Sequence, residues 1–255
     1  MFEVLCHDGL ARIGRLRTRH GIVETPTLMP VINPARITIP CSELKKFGAE
    51  ILITNAYLIW RNFGPSASEK GVHNLLEFDG PIMTDSGAYQ LLRHGVIEVD
   101  PDEIVKYQES IGSDIATILD VPTGATATRE KAEETVRITV ERAKRAQQIR
   151  TRTDMLWCGP IQGGLFTDLV ETCAREMGRL EYHVHAIGSP VELLENYRFR
   201  DVVRLTMAAK RNLPVERPVH LFGVGHPMFL ALGVAMGCDL FDSAAYALYA
   251  KDGRY

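Results

Sequence analysis

The run Ile115-Ala116-Thr117-Ile118-Leu119-Asp120, the helical pattern Arg129–Arg150 and the run Leu156-Trp157-Cys158-Gly159-Pro160-Ile161-Gln162 decide the fold. Both runs are nearly continuous in apolar residues, the pattern of strands buried on two faces in a parallel sheet wrapped by helices. Between them, Thr128 stands before Arg129-Glu130, a cap residue followed by a first-turn carboxylate. The same alternation extends in both directions. Short β-rich runs occur at Thr25–Ile32, Ile51–Asn55, Pro81–Asp85, Tyr182–Gly188, Pro218–Gly223 and Cys238–Asp242. Helical patterns fall at Ser42–Phe47, within Ser66–Phe78, and at Pro101–Ile111, Leu169–Leu180, Val191–Asn212 and Met228–Met236. Asp100-Pro101-Asp102-Glu103 opens one of them with a cap, a first-turn proline and two carboxylates. Eight strands alternating with helices predict an α/β fold, a (β/α)8 barrel of the TIM type, with an open doubly wound sheet as runner-up. No G-x-G-x-x-G opens a helix after the first strand, which removes the simplest dinucleotide-binding reading.

The 255 residues form one predicted domain, 1–255, with a sizeable core. Only Ser243–Tyr255 follow the eighth strand, too few for a full covering helix, so the eighth helix is expected to be missing. No apolar run approaches the roughly 18 to 20 residues of a membrane helix, and the start lacks a charged-then-apolar signal pattern. A soluble, cytoplasmic protein with no membrane partner is expected. Lys and Arg total 29 against 32 Asp and Glu, a net charge of -3, so any nucleic-acid partner must be held by a local patch. Cys6, Cys41, Cys158, Cys173 and Cys238 are scattered without a C-x-x-C, which reads as reduced thiols and no metal site.

Such barrels do their chemistry at the C-terminal ends of the strands. The polar residues there are Asn33, Asn55, Asp85-Ser86-Gly87, Asp120, Gln162-Gly163-Gly164, Gly188-Ser189, Gly223-Val224-Gly225-His226 and Asp242-Ser243. Any one aspartate is equally well a helix or turn cap, and Asp85 before Ser86-Gly87 fits an Asx turn. Three at one mouth are costly unless bonded or functional. Paired carboxylates support acid/base work or attack on an acetal-like carbon such as the C1′ of a sugar. A third carboxylate and Gln162 suit the N–H and carbonyl edge of a base such as guanine. Tyr89 is placed to stack on a planar ring or to fill core.

Thr84-Asp85-Ser86-Gly87-Ala88-Tyr89-Gln90, Leu119-Asp120-Val121-Pro122-Thr123, Ile161-Gln162-Gly163-Gly164, His220-Leu221-Phe222-Gly223-Val224-Gly225-His226-Pro227 and Asp239-Leu240-Phe241-Asp242-Ser243-Ala244-Ala245-Tyr246-Ala247 resemble the tRNA-guanine transglycosylases, most closely their archaeal, archaeosine-forming branch. Glu24–Val31 and Glu195–Val203 add to the resemblance, which runs in order along essentially the whole chain. It implies exchange of guanine-15 in the tRNA D-arm for the 7-deazaguanine preQ0 by double displacement. Carried over, Asp242 would be the nucleophile toward C1′ and Asp85 the general acid/base, although Asp85 has also been proposed as the family's nucleophile. Asp120 and Gln162 would read the base edge, Tyr89 and Phe222 would sandwich the ring, and backbone groups near Gly188-Ser189 and Gly223 would contact its polar positions.

The resemblance also implies a structural zinc held by a C-x-C-x-x-C segment and a histidine, and a final helix; neither is written in this chain, which ends at Lys251-Asp252-Gly253-Arg254-Tyr255. The expected partners are therefore tRNA, preQ0 or guanine, and a second polypeptide carrying the zinc and RNA-binding portions, unless the chain is a fragment. Arg142, Lys144, Arg145, Arg150 and Arg152 gather late in one helix and Arg198, Arg200, Arg204, Lys210 and Arg211 in another. The helix dipole accounts for such placement as well as RNA does; Lys251 and Arg254 are better placed near the mouth. Two other readings compete: a non-catalytic tRNA-binding or scaffolding subunit, and a retaining glycosidase using the same two aspartates. Retention of both Asp85 and Asp242 disfavours the first, and the shortage of hydroxyl-reading residues and Trp platforms disfavours the second.

Overall fold

The computed structural model describes residues 2–88, 99–188 and 190–254. Eight parallel strands close into a barrel: β4 (Thr27–Ile32), β5 (Leu52–Asn55), β6 (Ile82–Asp85), β7 (Ile115–Thr117), β8 (Leu156–Ile161), β9 (Val184–Ile187), β10 (Val219–Leu221) and β11 (Leu240–Ser243). Each pairs with its neighbour in chain order, and β11 closes the ring on β4 through Leu240↔Thr27 to Ser243↔Pro30. All eight coincide with the predicted runs, and the doubly wound alternative is excluded. Their buried positions explain why the runs are so apolar: Met29, Ile53, Met83, Ile115, Cys158, Val184, Ala186 and Leu240 pack together in one cluster.

Helices cover the outside. These are α1 (Cys41–Lys46), α2 (Ala56–Phe63), α3 (Pro65–Lys70), α4 (Val72–Leu76), α5 (Pro101–Ser110), α6 (Arg129–Ile149), α7 (Thr167–Gly178), α8 (Pro190–Glu195), α9 (Phe199–Lys210), α10 (Pro227–Ala235) and α11 (Ala245–Lys251). The caps read from the sequence are made: Asp100 accepts from the Asp102 amide at 2.8 Å and Thr128 from Lys131 at 3.3 Å. The single helical pattern Val191–Asn212 is two helices, broken where Tyr197 turns to a positive φ of 54°. After β11 the chain makes only the seven-residue α11, which buries no residue. It ties to the barrel through the Tyr246 hydroxyl, which donates to the Val31 carbonyl at 3.1 Å.

A second sheet was not anticipated: β1 (Phe2–Asp8), β2 (Ala11–Thr18) and β3 (Gly21–Thr25) pair antiparallel in that order. In β2 the inward positions are Arg12, Gly14 and Leu16, whereas Ile13 points outward and is 42% exposed. The apolar alternation that marks a half-buried strand is thus inverted. Leu16 and Val23 pack against the barrel's inner cluster. Arg12 forms a buried two-pronged pair with Asp239, at 2.7 and 2.8 Å, and also donates to the Val215 and Arg217 carbonyls. The β2–β3 turn is fixed by Asp114, just before β7. Its carboxylate accepts from the His20 and Ile82 amides at 3.0 and 2.9 Å and faces the His20 and His73 rings at 2.9 and 2.8 Å. This places the small sheet at the N-terminal end of the barrel, opposite the strand ends discussed next.

Candidate active site

Asp85 is the last residue of β6, Gln162 follows β8, Gly188 follows β9, Phe222 and Gly223 follow β10, and Asp242 lies in β11. Asp120 stands three residues past the end of β7. All of them open on the C-terminal mouth. Tyr89 and Ser189 lie outside the described residues.

A network from the barrel wall holds the β6–β7 side. Gln108 of α5, fully buried, accepts from the Thr84 hydroxyl at 2.8 Å and the Thr117 amide at 3.0 Å, and donates to the Thr117 carbonyl at 2.9 Å. Ser86 adds a bond to the Ile118 carbonyl at 3.0 Å. Asp85 then receives the Asn55 amide group at 2.8 Å and, at 3.4 Å, the Gly87 N–H. The Asx-turn contact and a position at the mouth therefore coexist. Gly87 has a φ of +100° and lies against Tyr57, so a Cβ there would be both strained and overlapping. Burial pushes the Asp85 carboxyl up to about 6, with the negative charge of Asp242 adding to the effect and the Gly87, Ser86 and Asn55 bonds opposing it.

Asp120 is buried, and its carboxyl is pushed up to about 7, first by desolvation and then by the charge of Asp85. Gln162 Nε2 donates to Asp120 Oδ2 at 2.5 Å while its Oε1 accepts from the Thr123 amide at 2.9 Å. A Cβ on Gly188 would overlap Gln162 Nε2, so the glycine makes room for the amide. Asp120, Gln162 and Gly188 are brought together as one polar wall.

Across the mouth, Asp242 Oδ1 accepts from the Gly223 amide at 2.7 Å and faces His220 Nε2 at 2.8 Å. No described residue bonds its Oδ2, and the side chain is 13% exposed. Phe222 stands edge to face with the His220 ring, centroids 4.6 Å apart. Gly223, at φ +66°, packs against Val191, so a side chain there is excluded and the amide stays aimed at Asp242. Three carboxyls thus share one mouth in three different environments. Two are pushed up to about 6 and about 7, and the third has one oxygen clamped and the other bonded by no described residue.

Two further residues bond the carboxylates of the mouth. Asn55 caps α2 through the Leu58 amide at 2.9 Å and bonds Asp85 with the other half of its side chain. His220 reaches Asp242. Its signal was its position: a polar residue inside a strand buried on both faces, two residues before Phe222 and paired in register with Leu240.

The basic clusters are largely spent inside the molecule. Lys144 pairs with Glu176, Arg145 with Asp102, Arg150 with Glu181, Arg152 with Asp154 and Arg198 with Asp201, and Arg142 donates to the Leu119 carbonyl. The cysteines do not fit a thiolate zinc site. Four are buried, Cys41 and Cys158 in different core clusters from Cys173 and Cys238, and no cysteine belongs to a group of metal-type donors among the described residues. Among the described residues His20, His73 and Asp114 form the one cluster of metal-type donors, and there one nitrogen of each ring faces an Asp114 oxygen, His20 Nδ1 at 2.9 Å and His73 Nε2 at 2.8 Å. No helix among the described residues is long and apolar enough to cross a membrane.

Fold and site together define the class: a (β/α)8-barrel protein with three carboxyls at the C-terminal mouth. Residues 6–255 match the family model described as TGT, queuine tRNA-ribosyltransferase, and the chain belongs to that family. It is 52% identical over 257 residues to the tRNA-guanine(15) transglycosylase of Methanosarcina barkeri, a match covering 100% of this chain and 52% of that protein. The proteins of the same name from Aeropyrum pernix and Archaeoglobus fulgidus are each 50% identical, over 100% of this chain and 50% and 53% of their own lengths. The chain thus spans about half the length of the curated relatives it matches.

Proposed function

We propose that the barrel is the catalytic portion of a tRNA-guanine(15) transglycosylase, exchanging guanine-15 of the D-arm for preQ0 in archaeosine formation, in the cytoplasm. The observation that carries this reading is the inequality of Asp85 and Asp242 across one mouth. A carboxyl raised to about 6 is a proton donor that still titrates near neutrality. Opposite it, a carboxylate with one oxygen free supplies an attacking atom.

In the first displacement Asp242 forms a bond to C1′ as the C1′–N bond to guanine breaks, and Asp85 delivers a proton to the departing base. In the second, Asp85 takes a proton from the incoming base, whose nitrogen bonds to C1′ as the ester breaks and Asp242 recovers its electron pair. Two inversions give retention, and the oxocarbenium-like charge at C1′ develops next to a carboxylate. Asp120 and Gln162 meet the N–H and carbonyl edge of the base, with backbone groups at Gly188, Ser189 and Gly223. Tyr89 and Phe222 cover the ring faces. The curated relatives are about twice as long, and in this reading a further grip on tRNA, with the family's zinc, comes from polypeptide outside these 255 residues. The test is a protein–tRNA adduct that resists denaturant: Asp242→Asn abolishes it under this assignment, and an adduct surviving that change makes Asp85 the nucleophile.

A further inference from the structure

The His220 ring is completely buried, yet packing does not account for it. Among the described residues its buried Nδ1 has no hydrogen-bond partner. Leucine or phenylalanine would fill the same strand position without that cost, and an orphaned polar atom in a core calls for a reason. The one polar contact the ring makes among the described residues is with Asp242 Oδ1 at 2.8 Å. A carboxylate can only accept, so the ring is the tautomer that carries its proton on Nε2 and donates. The Gly223 amide donates to the same oxygen at 2.7 Å. Both donors therefore converge on Oδ1, and the same ring stands against Phe222.

We propose that His220 is a positioning residue which, together with the Gly223 amide, occupies Oδ1 of Asp242 and so selects Oδ2 as the oxygen that bonds to C1′. This rests on the transglycosylase reading and deepens it. When the ester forms through Oδ2, Oδ1 becomes its carbonyl oxygen and loses much of its negative charge. When the ester breaks, the electron pair returns to a carboxylate that again accepts two hydrogen bonds. Both donors favour the free carboxylate over the ester, so they speed its departure in the second displacement. Loss of one donor to a charged acceptor is expected to slow that step by about ten- to a hundredfold.

The experiment compares His220→Leu, which fills the space without a donor, with His220→Gln, which restores an N–H near the same place. It uses the whole chain, with unfolding midpoints checked for both variants. Two readouts are taken. In nitrogen-labelled protein, one histidine ring is expected to show the Nε2-protonated tautomer, and its signal is expected to move in Asp242→Asn. In the exchange reaction, His220→Leu is expected to lower kcat by about ten- to a hundredfold. Its KM for the free base should stay within a few fold, release of the covalent adduct by added base should be the slowed step, and His220→Gln should recover most of the loss. A ring signal that ignores Asp242→Asn, or equal losses in two folded variants, overturns the role of His220. A wild-type chain that forms no adduct and exchanges no base overturns the transglycosylase reading instead, and the ring signal still decides the contact.

Discussion

Asp85 and Asp242 show how identical side chains acquire different environments from their neighbours. Burial and the facing charge of Asp242 raise Asp85 to about 6, and two donors on one oxygen fix Asp242. Under the proposed assignment the first displacement needs Asp85 protonated, so kcat/KM for tRNA is expected to fall as pH rises above about 6, by up to tenfold for each further pH step, and Asp85→Asn should remove that limb. A profile flat from pH 5 to 8 would assign the proton transfer elsewhere. Gly188 offers a second test. Alanine there displaces Gln162 Nε2 and breaks the Gln162–Asp120 wall, so Gly188→Ala should raise the KM for the free base about tenfold or more, the value of one or more hydrogen bonds lost from a buried site. An unchanged KM would mean that the wall does not touch the base. Asp85, Asp120, Gln162 and Asp242 were legible because polar residues at the ends of apolar strands stand out. Asn55 stands out the same way, but its bond to Asp85 and the contact of His220 with Asp242 do not, because each partner lies far away in sequence.

The elements that carry these residues differ in how openly they are written. Each barrel strand is buried on both faces, so its apolar run needs no register to be recognised. The antiparallel β1–β3 sheet hides its pattern, since β2 buries Arg12 and Gly14 and turns Ile13 outward. Helix α2 was overlooked for a related reason: its start signal, Asn55, also closes a strand and serves Asp85. Removing that side chain tests both duties. Asn55→Ala should cost about 1 kcal/mol from the lost cap, measured by urea denaturation, and should also shift the Asp85-dependent limb of the pH profile upward, because the Asn55 bond now holds that carboxyl down. A variant that loses stability with an unmoved pH limb would confine Asn55 to capping.

For the whole molecule, the barrel is closed at one end by the small sheet and left polar at the other, and each end has a measurable consequence. The Arg12–Asp239 pair is almost completely enclosed, at 6% and 0% side-chain exposure, so removing one partner strands a buried charge. Arg12→Met is expected to destabilise the fold by about 3 to 5 kcal/mol, read from denaturant midpoints; a loss under about 1 kcal/mol would mean that the sheet is loosely attached. At the mouth the linkage runs the other way. Asp85 and Asp120 are raised in the folded state to about 6 and about 7, so the folded protein holds protons that the unfolded chain has released. Stability is full below the ordinary carboxylate range and falls as pH rises through these values, on the order of 2 to 4 kcal/mol from each group. Asp120→Asn should flatten part of that decline. This is the reverse of the acid sensitivity that paired carboxylates impart.

The central claim is that this barrel exchanges a base on tRNA, and base exchange measures it most directly. The chain is incubated with labelled guanine and an archaeal-type tRNA, alone and with a polypeptide carrying the zinc and RNA-binding portions of the family. Label entering the tRNA in either condition, and lost in Asp242→Asn, is the predicted result. No incorporation in both conditions, from a folded chain, would contradict it.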